Sequence, residues 1–307
     1  MIKLITISCS LLAAAILLNA QQNEFTNLTG PYLGQKPPGM TPEIFAPGIV
    51  STQEANIHSS VSFTPGGRQL FFARLYSKPY RVVTFCLSEV DGQWQFVPPD
   101  SSMNNCFSPL FLPDGNSLLL AKQNSLVISH RLGGGWTPVE KLGPEINFQK
   151  RQDGASMALD GTIYFTTMFG PQRTQDGIYY SKLDHDKYMK ATRFNTGYAG
   201  KLSDGYPFIA PDQSYLIFMS WRPGGYGKWD LYITFKNDAG TWTTPVNMGA
   251  TINTDASESF PCVSPDGRYF FFNSNRKSSL TPISPEHFYG NIYWVSAKII
   301  EELKPKQ

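Results

Sequence analysis

Phe260-Pro261-Cys262-Val263-Ser264-Pro265-Asp266-Gly267-Arg268-Tyr269-Phe270-Phe271-Phe272 reads as a short strand, a tight turn and a second strand. Pro-Asp-Gly presets the chain reversal. The run Tyr269 to Phe272 does not alternate polar and apolar residues, which marks a strand buried on both faces. Weaker copies of the unit lie upstream. The five turn cores are Pro65-Gly66-Gly67, Pro113-Asp114-Gly115, Leu159-Asp160-Gly161, Pro211-Asp212-Gln213 and Pro265-Asp266-Gly267, spaced 48, 46, 52 and 54 residues apart. A period of this length belongs to a solenoid, propeller or array.

Each turn leads into an apolar strand, such as Tyr215-Leu216-Ile217-Phe218, and then into a third strand, such as Asp230-Leu231-Tyr232-Ile233. A polar turn and a closing stretch with Trp94, Trp136 or Trp242 follow in blades one, two and four. Four short antiparallel strands per repeat make a propeller blade. Blade five has no fourth strand after Trp294, but residues 40–52 have the form of the closing stretch at 243–254. The expected fold is therefore all-β: a five-bladed β-propeller of four-stranded antiparallel blades, closed by the N-terminal strand. Such closure leaves no open sheet edge. Only residues 296–303 suit a short helix.

The composition agrees. Hydrophobic residues make up 41% of the 307, charged residues 16%, and there are 21 Phe and 15 Tyr, a balance that suits strands. The net charge of +2, with no basic run beyond Lys304-Pro305-Lys306, argues against nucleic acid. Lys3, the apolar run 11–18 and Leu18-Asn19-Ala20 form an export signal over residues 1–20, too short to span a bilayer. Cys9 falls in the apolar part of the leader, behind too short a stretch, and is set aside as a lipidation site. Residues 21–40 read as a poorly ordered lead-in, 41–298 as one propeller domain and 299–307 as a tail. Periplasmic or secreted location follows, with no transmembrane segment after cleavage. Cys86, Cys106 and Cys262 then remain. One disulfide among them is compatible with an oxidising compartment, and burial as small hydrophobes is the alternative.

Tyr206-Pro207-Phe208-Ile209-Ala210-Pro211-Asp212, together with 219–232 and with Ser264-Pro265-Asp266-Gly267 followed by Asn273-Ser274-Asn275-Arg276, resembles the TolB-type β-propeller repeat. The resemblance spans about residues 40–298 and is strongest in blades four and five. Blade one has Gly66 in place of Asp, and blade three has Leu159 in place of Pro and no closing Trp. The resemblance implies the fold and an envelope location. It implies little about activity, because such repeats serve binding proteins, lyases and accessory domains of peptidases.

Strand parity puts the Pro-Asp-Gly turns on one face of the ring. The opposite face carries the loops leading into each first strand and those between second and third strands. These are longer and more aromatic, and function concentrates in such loops. Seven residues before each turn stand His58, Cys106, Gln152, Asp204 and Glu258, facing the channel mouth together. They suit a ligand or metal site. Equally, Asp204 and Glu258 brace the blades, as the acid at this position does in the family, by pairing between blades with Arg222 and Arg276, which follow the second strands. Aromatics cluster on the same face: Trp221, Tyr226 and Trp229 around Gly224-Gly225, and His287, Phe288 and Tyr289 within 277–290. Exposed rings on a rigid scaffold suit sugars or peptide side chains. No Gly-x-Ser-x-Gly elbow, His-Glu-x-x-His pair or phosphate loop occurs. No cofactor or metal is expected. The expected function is a non-catalytic binding module for an envelope protein or glycan. The alternative is a carbohydrate-active hydrolase or lyase using Asp204 and Glu258.

Overall fold

Five small antiparallel sheets form a ring, a five-bladed β-propeller. The computed structural model describes residues 28–53, 57–77, 79–168, 176–198, 204–280 and 290–305. The export signal, His287, Tyr289 and most of the loops at 169–176 and 281–289 lie outside the described residues. Of His58 only the backbone is described, paired opposite Arg74. No helix among the described residues is long and apolar enough to cross a membrane.

Blade five shows the plan. Its first strand is Glu258–Val263, its second Tyr269–Ser274 and its third Asn291–Ser296; the fourth is Glu43–Ile44 from the other end of the chain. Glu43 lies opposite Trp294 and Ile44 opposite Tyr293, and Phe45 N donates to Ile292 O at 2.8 Å. The ring thus closes as its repeat implied, with no inner edge unpaired.

The poor alternation of the second strands has a plain cause. Five hydrophobic clusters occupy the five interfaces between neighbouring blades. Phe71 points into the cluster shared by blades one and two, while Leu70 and Phe72 point into the one shared by blades five and one. Both faces of each strand are therefore core, and each blade depends on two neighbours. Hydroxyls staple the inner strands across these interfaces: Ser62 Oγ accepts from Phe111 N (2.7 Å), and Ser156 Oγ from Ile209 N (2.9 Å).

One expectation needs correction. Residues 28–40 are not a loose lead-in. Tyr32 packs edge-on against Phe63 and Tyr269, Leu33 is buried, and Trp94 Nε1 donates to Gly30 O at 2.8 Å. The aromatic surface where blades one and five meet needs a cover, and this segment supplies it. The short helix expected within 296–303 is present. The helix Lys298–Glu302 buries Ile299 and Ile300 against blades four and five. The three cysteines from 86 onward are free, and Cys262 Sγ donates to Val61 O at 3.1 Å across the closure.

The first strands hold the irregularity that shapes the channel. In blades two to five each has a register shift, and Ser108, Gly154, Tyr206 and Phe260 there have φ of 51°, 43°, 50° and 52°. All four stand five residues before their turn. Such bulges re-aim side chains and recur beside functional sites.

Candidate functional site

The re-aimed side chains meet in the channel. Tyr206 and Phe260 are in ring contact with centroids 4.2 Å apart, and Phe107 meets Phe260 at 5.5 Å. A Cβ on Gly154 would overlap the Tyr206 ring, so only glycine fits beneath it. On the loop-rich face these rings line a cavity of about 430 Å³, with Trp229 and Tyr80 among its aromatic walls and Asp204, Ser257, Ser259 and Asn275 among its polar groups. On the Pro-Asp-Gly face the channel opens into a second cavity of about 340 Å³, lined by Phe63, Leu110, Met157, Phe208, Val263 and others, with no charged side chain among the described residues.

The acids seven residues before the turns are engaged with arginines, and here the pairing runs within blades rather than between them. Asp204 Oδ2 accepts from Arg222 Nη2 at 2.9 Å, both in blade four. Glu258 Oε1 lies 3.3 Å from Arg276 Nη2, both in blade five. The reason is the hairpin register, which sets Glu258 opposite Ser274, two residues before Arg276. What each arginine reaches across to is a carbonyl. Arg222 bonds Thr196 O at 3.5 Å, Arg276 bonds Ile252 O, and Arg74 bonds Val50 O (3.3 Å) and Ile49 O, all in the segments leading into their blades. Each guanidinium also lies over aromatic rings, 4.7 Å from Tyr232, 4.8 Å from Tyr293 and 4.6 Å from Phe85 respectively. This is a repeated clamp, worth more in a desolvated setting than on the surface.

Glu258 and Asp204 nevertheless differ. Glu258 has no exposure; Oε1 accepts from Ser274 Oγ (2.7 Å) and Thr254 Oγ1 (2.8 Å), and Oε2 from Thr254 N (3.1 Å). Burial, outweighing these bonds and Arg276, raises its pKa above the usual carboxylate range. Asp204 is shifted the same way, also by burial, against Ser220, Thr196 and Arg222. Asp204, however, lines the cavity, and its Oδ1 is buried without a hydrogen-bond partner among the described residues.

The loop at 221–229 is fixed from beneath. Asp230 Oδ2 accepts from Tyr226 N (2.6 Å) and Asn247 Nδ2 (2.8 Å), and its Oδ1 from Gly227 N (3.0 Å). Glu258 N donates to Trp229 O at 2.7 Å, tying the loop to blade five. Trp229 meets Trp221 edge-on with centroids 5.1 Å apart. Of the three aromatics here, Trp229 faces the cavity while Trp221 and Tyr226 are exposed beside it.

The structure therefore joins Asp204 and Trp229 in one cavity and assigns Glu258, Arg222 and Arg276 to the blade clamps. Counting back from the turns missed a second cluster. Asp153, buried, accepts from Arg151 Nη2 (2.7 Å), Ser108 Oγ (3.1 Å) and Gly154 N (2.8 Å), and Tyr206 OH lies 3.5 Å away. Burial works against the Arg151 charge, yet Asp153 beside it holds its pKa up. The signal available in sequence was the fifth position before each turn, where Tyr206 and Phe260 interrupt an inner strand.

No protein-family model matches the chain, and no match to a curated protein was found. Solved structures do match. The catalytic domain of a GH62 α-L-arabinofuranosidase from Coprinopsis cinerea is 10% identical, with 85% of this chain and 98% of that one covered at a TM-score of 0.52. An endo-arabinase from Bacteroides thetaiotaomicron is 13% identical over 79% of this chain and 95% of that one, at 0.50. TolB from Acinetobacter baumannii is 15% identical over 79% of this chain, at 0.46, and the chain spans 57% of that protein. At these identities the likeness is one of fold.

Proposed function

We propose that this chain is a non-catalytic binding module of the bacterial envelope that seats a protein or glycan ligand in the cavity on its loop-rich face. The observation behind this reading is the cavity itself. About 430 Å³ lies within the range of small-ligand sites, roughly 300–1,000 Å³, and its walls combine aromatic rings with a few polar groups. Those walls come from bulged strands and a pinned loop, so the site is preformed. Hydrolysis through Asp204 and Glu258 has less to support it. Two-carboxylate chemistry needs both groups at the substrate, about 5–10 Å apart. Glu258 has no exposure and holds three hydrogen bonds that keep it in the blade. The export signal and the TolB-like repeat motifs favour an envelope location.

The test is capture from a glycan array and an envelope extract by the purified protein and by Ser259→Trp, which fills the cavity. Capture that Ser259→Trp abolishes at unchanged melting temperature is expected. Release of reducing sugar by the wild type that Asp204→Asn stops would overturn the non-catalytic reading.

A further inference from the structure

We infer that the mouth cavity takes an uncharged sugar residue at the end of a glycan, with Trp229 as the stacking wall and Asn275, Ser257 and Ser259 as its hydrogen-bonding groups. This deepens the binding-module reading and rests on it. The first ground is the hydrogen-bonding capacity of the lining. Asn275 Oδ1 is occupied by Ser257 N at 2.7 Å, which leaves its Nδ2 as a donor at the cavity wall. The hydroxyls of Ser257 and Ser259, also in the lining, can donate or accept. A donor and two ambivalent hydroxyls match a polyol, whose every hydroxyl both donates and accepts.

The second ground is charge. Among the described residues the cavity is lined by one cation and one anion, Arg151 and Asp204, and each has a counter-charge outside the lining: Asp153 at 2.7 Å and Arg222 at 2.9 Å. A carboxylate or ammonium ligand would find no unbalanced opposite charge among these groups to offset its desolvation. A neutral polar ligand loses nothing on that account. The third ground is the aromatic wall. Trp229 is held by its edge contact with Trp221 and by the Glu258 N–H on its carbonyl, so little order is lost when a sugar's C–H face lies on it. The apolar area exceeds what an ion would use and suits the apolar faces of a sugar ring.

The experiment is titration calorimetry with neutral, uronic-acid and amino-sugar oligosaccharides, at low and high salt. Neutral chains are expected to bind, with affinity changing less than about twofold between 0.05 and 0.5 M salt because no net charge is screened. Trp229→Ala is expected to weaken binding at least tenfold and Asn275→Ala several-fold, with circular dichroism showing that each variant, which also loses a packing or hydrogen-bond contact, stays folded. Uronates or amino sugars binding tenfold more tightly than neutral chains would overturn the charge argument. Neutral binding that survives Trp229→Ala and Asn275→Ala unchanged would overturn the placement. If no sugar binds but an envelope protein does, and Ser259→Trp blocks it, the sugar inference fails while the binding module stands. If Ser259→Trp affects no ligand, the module reading itself fails.

Discussion

At the scale of single residues, one position means different things in different blades. Asp204 and Glu258 occupy equivalent places, seven residues before their turns, and each meets an arginine. Glu258 is sealed by Ser274 and Thr254, whereas Asp204 is among the residues that line the cavity. The burial of Glu258 carries a pH signature. Its folded pKa is raised, so the unfolded chain releases this proton first. Its contribution is full below the ordinary carboxylate value of about 4.3 and is lost as pH rises through the raised folded value. Urea unfolding of the wild type and Glu258→Gln between pH 4 and 8 checks this. The wild type should lose stability over that window, and the variant should lose less, the remainder coming from Asp204, which has the same sign. Glu258→Ala, which removes the carboxylate beside Arg276 and the acceptor of the Thr254 and Ser274 donors, should cost about 3 kcal/mol at neutral pH. An identical slope in wild type and Glu258→Gln would show that Glu258 is not titrating in the folded state.

At the scale of elements, the outer strand Glu43–Ile44 and the segment before it decide closure. Two residues of pairing are a small gain by themselves. The strand's hold comes from Phe45, which is fully buried with ring centroids 5.1 Å from Phe271 and 5.2 Å from Trp294. Phe45→Ala should therefore destabilise by about 3–5 kcal/mol, read from chemical unfolding. It should also favour association between molecules, read by light scattering, because the freed edge of Asn291–Ser296 is open to pairing. A loss below about 1 kcal/mol would mean that the strap at 28–40 closes the ring without it.

For the whole molecule, the core is spread over five interfaces rather than gathered in one centre. The cysteines report on two of its parts. Cys86 and Cys106 lie in the cluster between blades one and two, and Cys262 spans the closure of blades five and one. Burial pushes their thiols up to about 12, 11 and 12 respectively. At pH 8 they are scarcely ionised, and the thiolate is the reactive form. Iodoacetamide should leave all three unmodified in the native protein and alkylate all three together once it unfolds, as followed by mass spectrometry. Early labelling of Cys262 alone would show that the ring opens at its closure before it melts elsewhere.

Repeat spacing, turn chemistry and the shared form of 40–52 and 243–254 determined the number of blades, their strand order and the closing strand. These are local signals, repeated five times, and each copy supports the others. That Asp204 and Trp229 line the cavity on the loop-rich face agrees with the parity along strands that assigns loops to faces. Tertiary structure alone decided which groups line that cavity and which are sealed in the blades. Gly154, Tyr206 and Phe260 turn through positive φ, so their neighbours no longer follow the period of two, and counting back from the turns misplaces them. Ser108 meets the Arg151–Asp153 pair only because the ring sets blade two against blade three. Burial of Glu258 and the place of Asp204 at the cavity are set by surroundings that lie far apart along the chain. Sequence spacing reports where a side chain starts, and packing across the ring determines whether solvent or a ligand can reach it.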